Sequence, residues 1–293
     1  MIMQKICFII ITHSEPQQVT RLISILGQVS QCVIVHVNAN SDVGLFQDKA
    51  PAWCGFVDQR VAVRWGASSM LEAIVASTDY AMRQTDADRF VLLSQSCLPV
   101  VPPERIQQFF DAQPDAEFIG LRPMRSYGAD RWRLSFDLNE NSIHPRLRNG
   151  IAGKIVRRLG IARPALNWKQ SLGHFKPAKG CLWWALTRGA CNHFLQVLRE
   201  NSAISHYAGS LFGPEEIIPH TILHNSAFSK NIKHHITFED WSRRGPSPKW
   251  LDVSDIRKLA DFRYEWTDVY GKGTALFARK FSSEVAEQIT HDS

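Results

Sequence analysis

Several groups of residues could do chemistry by type and spacing. Glu215 and Glu216 are adjacent carboxylates directly after Pro214. A carboxylate at such a helix start either compensates the dipole or serves as a general base. Arg279 and Lys280 are adjacent cations near the C-terminus. Such a pair is either solvated or holds phosphate oxygens, the guanidinium by its fork and the ammonium as a point charge. Trp183 and Trp184 offer flat surfaces on which a ligand could stack. Consecutive extended residues face opposite ways, so one is expected at a site and the other in the core. His234 and His235 are metal-ligand types, but adjacent strand residues point apart, which argues against a shared ion. Arg131 and Trp132 fall in a polar stretch read as a loop, where a cation beside an aromatic ring is a candidate ligand contact.

The elements that must position these residues follow from periodicity. Residues 5–12 (KICFIIIT) form a continuous apolar, β-rich run, as expected for a strand buried on both faces. Pro16 then opens a helix with Val19, Leu22, Ile23, Leu26 and Val29 at helical spacing. Strands are predicted over 32–38, 89–94 and 117–121, and helices over 69–83, 103–112, 188–200 and 253–262. This β-α-β-α-β order argues for an α/β fold with a parallel sheet covered by helices. Ligands of open sheets bind beyond the carboxyl ends of strands. Here those ends carry Thr12-His13-Ser14, His36-Val37-Asn38 and Ser94-Gln95-Ser96.

Other motifs are missing from the sequence. No Gly-x-Gly-x-x-Gly follows the first strand and no phosphate-loop motif occurs, which disfavours ordinary dinucleotide folds and P-loop NTPases. Asp86-Ala87-Asp88 precedes a strand rather than ending one, so it is not placed as a metal site. The 6 cysteines form no Cys-x-x-Cys pair, so neither a disulfide scaffold nor a zinc site is expected. The longest apolar run, 6–11, is too short to span a bilayer, and no signal peptide is read. A cytoplasmic protein is therefore expected.

With 293 residues, 44% of them apolar, the chain can build a substantial core. The net charge of +6 suggests an anionic partner without naming it. Residues 141–199 contain no Asp or Glu but 11 Lys or Arg. Within them Ile151, Ile155 and Leu159 share one helical stripe, with Lys154, Arg157 and Arg158 elsewhere. That pattern fits either a solvated basic face or peripheral contact with an anionic membrane through 146–169. Nucleic acid is not expected as a partner, because no recognisable binding motif accompanies the basic charge.

Six segments in order resemble one family. They are Val35-His36-Val37-Asn38, Val63-Arg64-Trp65-Gly66-Ala67-Ser68 and Leu92-Leu93-Ser94-Gln95-Ser96-Cys97-Leu98-Pro99, then Gly180-Cys181-Leu182-Trp183-Trp184-Ala185-Leu186, Pro214-Glu215-Glu216 and Leu276-Phe277-Ala278-Arg279-Lys280-Phe281. Together they resemble the core-2/I-branching β-1,6-N-acetylglucosaminyltransferases and peptide-O-xylosyltransferases over nearly the whole chain. The resemblance implies a GT-A-like nucleotide-diphospho-sugar transferase fold with a mostly parallel central sheet flanked by helices. It implies one domain over 1–293, with a nucleotide-binding half (1–125) and an acceptor-binding, catalytic half (126–293).

The resemblance also implies an inverting, metal-independent enzyme that uses a UDP-sugar donor and no cofactor. Glu216 matches the catalytic base, with Glu215 as the alternative. Thr12, His13, His36, Asn38, Trp65, Gly66, Ser94, Arg279 and Lys280 would bind the nucleotide sugar. Arg131, Trp132, Trp183, Trp184 and Glu215 would face a carbohydrate or lipid-linked oligosaccharide acceptor. GlcNAc is the first donor sugar expected, with xylose, glucose and glucuronic acid as alternatives. Synthesis of a bacterial surface glycan is the expected setting. Three positions depart from the family pattern. Asn38 and Cys97 stand where acids are usual, and Thr237 stands where a second cation is usual, with His234, His235 or Arg243 as substitutes. These departures leave a non-catalytic binding relative as the competing expectation.

Overall fold

The computed structural model describes residues 3–135, 166–243, 247–260 and 265–291. Strand β1 (Ile6–Thr12) is an interior strand of the main sheet, and every one of its residues is buried. Its side chains alternate between two cores. Cys7, Ile9 and Ile11 join one, while Ile6, Phe8 and Ile10 join the other. An apolar residue at every position of the run is what a strand with covered faces requires.

Parallel strands β2 (Val33–Val37) and β4 (Arg89–Ser94) flank β1, and β3 (Gly55–Phe56) extends the sheet beyond β2. After the short β5 (Leu98–Pro99) come β6 (Glu117–Phe118), β7 (Leu121–Pro123), β8 (Ala178–Gly180), β9 (Ala185–Thr187) and β10 (Ile232–Lys233). The main sheet runs β10-β6-β9-β4-β1-β2-β3. Only β9 is antiparallel to its neighbours. Strands from both sides of residue 125 thus share one sheet. The expectation of an α/β fold with a mostly parallel sheet flanked by helices holds.

One core is capped by helices Ser68–Gln84, Arg188–Glu200 and Ile218–His224. The other is capped by helices Pro16–Gly27, Pro103–Asp111 and Ser283–His291. The apolar face of Pro16–Gly27 is the stripe Val19, Leu22, Ile23 and Leu26. Val29 lies beyond its end but packs on the same core.

A second, small sheet is built from β11 (Thr237–Glu239), β14 (Phe277–Arg279) and β5. Between β11 and β14 in sequence lies the hairpin of β12 (Glu265–Asp268) and β13 (Gly271–Thr274).

Two expectations are corrected. The strand read over 117–121 breaks in two, because Gly120 adopts φ +51. A side chain there would meet His235 Nδ1 at 2.4 Å, and the chain leaves the main sheet so that β7 can pair with β8. Arg131 and Trp132 lie on a helix, Gly128–Ser135, not in a loop. Asp130 anchors that helix through a two-pronged ion pair with Arg122 at 2.7 and 2.9 Å.

Of the amphipathic basic segment, residues 146–165 lie outside the described residues. Among the described residues no helix is long and apolar enough to cross a membrane.

Candidate active site

The carboxyl ends of β1, β2 and β4 open onto a cleft of about 1830 Å³. Thr12, His13, Asn38 and Ser94 all line it. Their polar atoms are held by the adjoining loops. Thr12 Oγ1 donates to Ser14 O at 3.0 Å, and Asn38 Nδ2 donates to Val63 O at 3.0 Å. Ser94 Oγ lies 3.1 Å from Ser96 Oγ and 3.3 Å from the Cys97 thiol. Cys97 therefore sits fully buried behind Ser94 rather than in the cleft lining.

Trp65 and Gly66 complete this wall. Gly66 has φ +77, and a Cβ there would meet the Phe212 ring at 2.1 Å. That close approach sets Trp65 edge-on to Phe212 with ring centroids 5.2 Å apart. It also lets Gly213 N–H donate to Gly66 O at 3.1 Å. The strand-end wall is thereby tied to the turn Pro214–Glu216 on the other side.

That turn carries both carboxylates into the cleft. Glu216 Oε2 accepts from Arg133 Nη1 at 3.0 Å, and its side chain is 39% exposed. Glu215 is buried, its Oε2 has no hydrogen-bond partner, and burial pushes its carboxyl up to about 8. Two carboxylates side by side therefore have opposite characters. Glu216 is partly exposed and paired with Arg133, whereas burial favours the protonated form of Glu215. Lys179, on β8, also lines the cleft, and burial, followed by repulsion from Arg133, lowers its pKa.

The cation pair lies on the second sheet. Pairing of β11 with β14 sets Glu239 opposite Arg279. Arg279 Nη1 donates to Glu239 Oε1 at 2.6 Å, and its guanidinium lies 4.5 Å from the centroid of the Trp183 ring. Its Nε is buried without a partner. Lys280 lines the cleft beside Trp250, with Nζ 5.5 Å from that ring. Burial, then the charge of Arg279, holds its pKa below the ordinary lysine value.

Some expected site residues lie elsewhere. His36 is fully buried and outside the cleft lining. Its Nε2 accepts from Val61 N–H at 2.9 Å, and burial pushes it down to about 4. It supports the loop that carries Val63 rather than facing a ligand. Trp184 is core, packed edge-on to Phe194, while Trp183 faces the cleft. Backbone alternation separates the two. Arg131 is exposed and outside the lining, and the Trp132 side chain lies outside the described residues. Thr237 is buried on β11, and Arg243 is exposed away from the cleft.

The sequence reading missed Arg133, Lys179 and Glu239. Arg133 was within reach of it, two residues from Arg131 on the same helix. Glu239 and Lys179 carry no local signal, because their roles depend on strand pairing.

His234 and His235 do not point apart. They lie between β10 and β11, outside either strand, and the rings stack at 4.1 Å, both near Asp268.

Residues 6–262 match the family model described as Core-2/I-Branching enzyme. The chain belongs to the Core-2/I-Branching enzyme family. A xylosyltransferase from Ciona intestinalis is 22% identical over 317 residues, which cover 98% of this chain and 33% of that protein. This family member thus spans about a third of the length of the curated relative it matches.

Similar solved structures include a protein assigned as a glucose-1-phosphate thymidylyltransferase from Bacillus anthracis, in complex with a sucrose. It has TM-score 0.37 and 12% identity, over 78% of this chain and 86% of that one. A mannose-1-phosphate geranyltransferase from Thermus thermophilus has TM-score 0.32 and 10% identity, over 71% and 68%.

Proposed function

We propose that this Core-2/I-Branching family member is an inverting, metal-independent glycosyltransferase of GT-A type. It would move a sugar, first of all GlcNAc, from a UDP-sugar to a hydroxyl of a carbohydrate acceptor. Assembly of a lipid-linked bacterial surface glycan is the setting proposed. The observation that carries the reading is that a carboxylate with a fixed partner and a pair of cations line the same cleft.

In this reading Glu216 takes the proton of the acceptor hydroxyl as that oxygen attacks the anomeric carbon. Arg133 holds Oε2, which fixes the carboxylate and leaves Oε1 for the proton. The new C–O bond forms as the bond from the anomeric carbon to the diphosphate breaks, and its electron pair leaves with UDP. The leaving charge falls on Lys280 and on the guanidinium of Arg279, both of which line the cleft. Glu239 orients Arg279 without using all of its donors. Trp183, under that guanidinium, supplies an apolar floor for the donor.

Glu216→Gln tests the reading. Turnover with a UDP-sugar and acceptor should fall by about 10²–10⁴-fold, the usual worth of a general base. UDP affinity measured by calorimetry in EDTA should be unchanged. Equal turnover in the variant would remove Glu216 as the base. Loss of UDP binding to the wild type in EDTA would remove the metal-independent donor site.

A further inference from the structure

We propose that His234, His235 and Asp268 form a transition-metal site on the wall of the cleft, suited to a borderline-soft divalent ion such as Zn²⁺. One ligand atom from each lies within 4.8 Å of the others. Two imidazoles and one carboxylate are a donor set that favours zinc-like ions over the oxygen-seeking Mg²⁺ or Ca²⁺. Tetrahedral ligands at about 2.0–2.1 Å from zinc stand roughly 3.3 Å apart. Asp268 Oδ1 is 2.9 Å from His234 Nε2, and Oδ2 is 3.6 Å from His235 Nε2. The two distances run to different oxygens of one carboxylate, so both imidazoles reach the same Asp268 side chain.

The hydrogen bonds around the cluster resemble the outer shell of a metal centre. His234 Nδ1 is 2.8 Å from the backbone oxygen of His235. A carbonyl can only accept, so Nδ1 carries the hydrogen, and Nε2, 2.9 Å from Asp268 Oδ1, either donates a second proton to the carboxylate or is free to ligate an ion. Metal-ligating histidines characteristically donate their second N–H in this way. The carboxylate is oriented in turn, since Tyr270 N–H donates to Asp268 Oδ1 at 2.7 Å.

A proton on His234 Nε2 would satisfy one carboxylate oxygen and leave His235 outside the arrangement. His235 is 2% exposed, its Nδ1 has no partner, and 3.6 Å is too long for a hydrogen bond from Nε2. An ion shared with Asp268 would bring His235 Nε2 into the arrangement at a site where a direct hydrogen bond is out of reach.

The fold leaves room for both rings. A Cβ on Gly273 would meet His234 Nδ1 at 2.1 Å, and one on Gly120 would meet His235 Nδ1 at 2.4 Å. Trp266 stands edge-on to both imidazoles, at 4.7 and 5.5 Å. Access comes from the cleft, whose lining includes His235 and Asp268. An ion there would join the connection between β10 and β11 to the end of β12. The chemical step proposed above does not run through it.

The test uses tag-free full-length protein stripped with chelator and then titrated with Zn²⁺ by calorimetry. Co²⁺ serves as a visible-absorption probe of low-coordinate geometry. One equivalent should bind, with d–d bands perturbed by imidazole, and Zn²⁺ should raise the melting temperature of the wild type by mass action. Asp268→Asn and His235→Gln should each weaken Zn²⁺ binding by about 100-fold and lose that shift. Their metal-free melting curves verify that they fold. Wild-type affinity weaker than about 1 mM would overturn the proposal. Equal Zn²⁺ affinity in wild type and either variant would overturn it as well. UDP binding in EDTA is read separately, so failure of the metal site and failure of the transferase reading are distinguishable.

Discussion

The two walls of the cleft are built on different principles. The strand-end wall carries few charged groups and is fixed by regular structure. Thr12, Asn38 and Ser94 end long-range parallel pairings, and their polar atoms are held by nearby loops. The facing wall is charged and made of short pieces, a three-residue turn and three-residue strands. It holds Glu215, Glu216, Lys179, Arg279 and Lys280, in environments from fully buried to partly solvated. One wall thus supplies shape, and the other supplies charge set by burial and pairing.

The comparison predicts that breaking the first wall costs stability and breaking the second costs binding and pH behaviour. The largest effect is expected at Arg89, the first residue of β4, at the end of that strand away from the cleft. Its guanidinium is fully buried and donates to Gln4 Oε1 and to the carbonyls of Ala116, Gln113 and Pro114. Arg89→Ala removes all of these donors and leaves buried acceptors behind. Chemical denaturation should show a loss of about 3–5 kcal/mol. A loss below about 1 kcal/mol would mean that the sheet does not depend on this group.

Glu215 gives the next effect, and its sign is fixed by burial. Its folded value of about 8 lies above the ordinary 4.5, so the folded chain keeps a proton that the unfolded chain releases. Its contribution to stability is fully present below about pH 4.5 and is lost as pH rises toward 8. Between pH 6 and pH 8 the wild type should lose about 2–3 kcal/mol that Glu215→Gln does not. Parallel stability curves for the two proteins over that range would show that Glu215 is ionised in the fold.

Lys280→Ala should weaken UDP binding by about 10- to 100-fold, the worth of a hydrogen bond to a charged group, with little change in melting temperature. Arg279→Ala should instead lower both, because it leaves Glu239 in a pocket where both side chains are only 13% exposed. Calorimetry and thermal melts on the pair separate the two roles.

The smallest effect is expected at Gly66. Gly66→Ala places a Cβ at φ +77 against the Phe212 ring and should cost about 1–2 kcal/mol in a melt. Because Gly66 joins the two walls, the same variant should also weaken UDP binding.

Periodicity alone was enough for the regular half of the molecule. The run 5–12 could only be a covered strand, and the helix stripe after Pro16 had one apolar face, so the sheet and the polar strand ends followed. The adjacent carboxylates, the cation pair and the split of Trp183 from Trp184 were also legible, because backbone alternation is local.

The tertiary structure decided what each charged group faces. His36 looked like a strand-end ligand, but a loop from 61 covers it. Arg133 and Lys179 meet Glu216 only through the packing of β8 and a helix about 50 residues earlier in the chain. Glu239 meets Arg279 through parallel pairing across 40 residues. His234 and His235 come near Asp268 through the hairpin of β12 and β13, about 35 residues later in the chain, and the missing side chain at Gly120 leaves room for the His235 ring. Residue type is a property of the sequence, whereas burial, partner and proton affinity depend on non-local contacts that no spacing along the chain encodes.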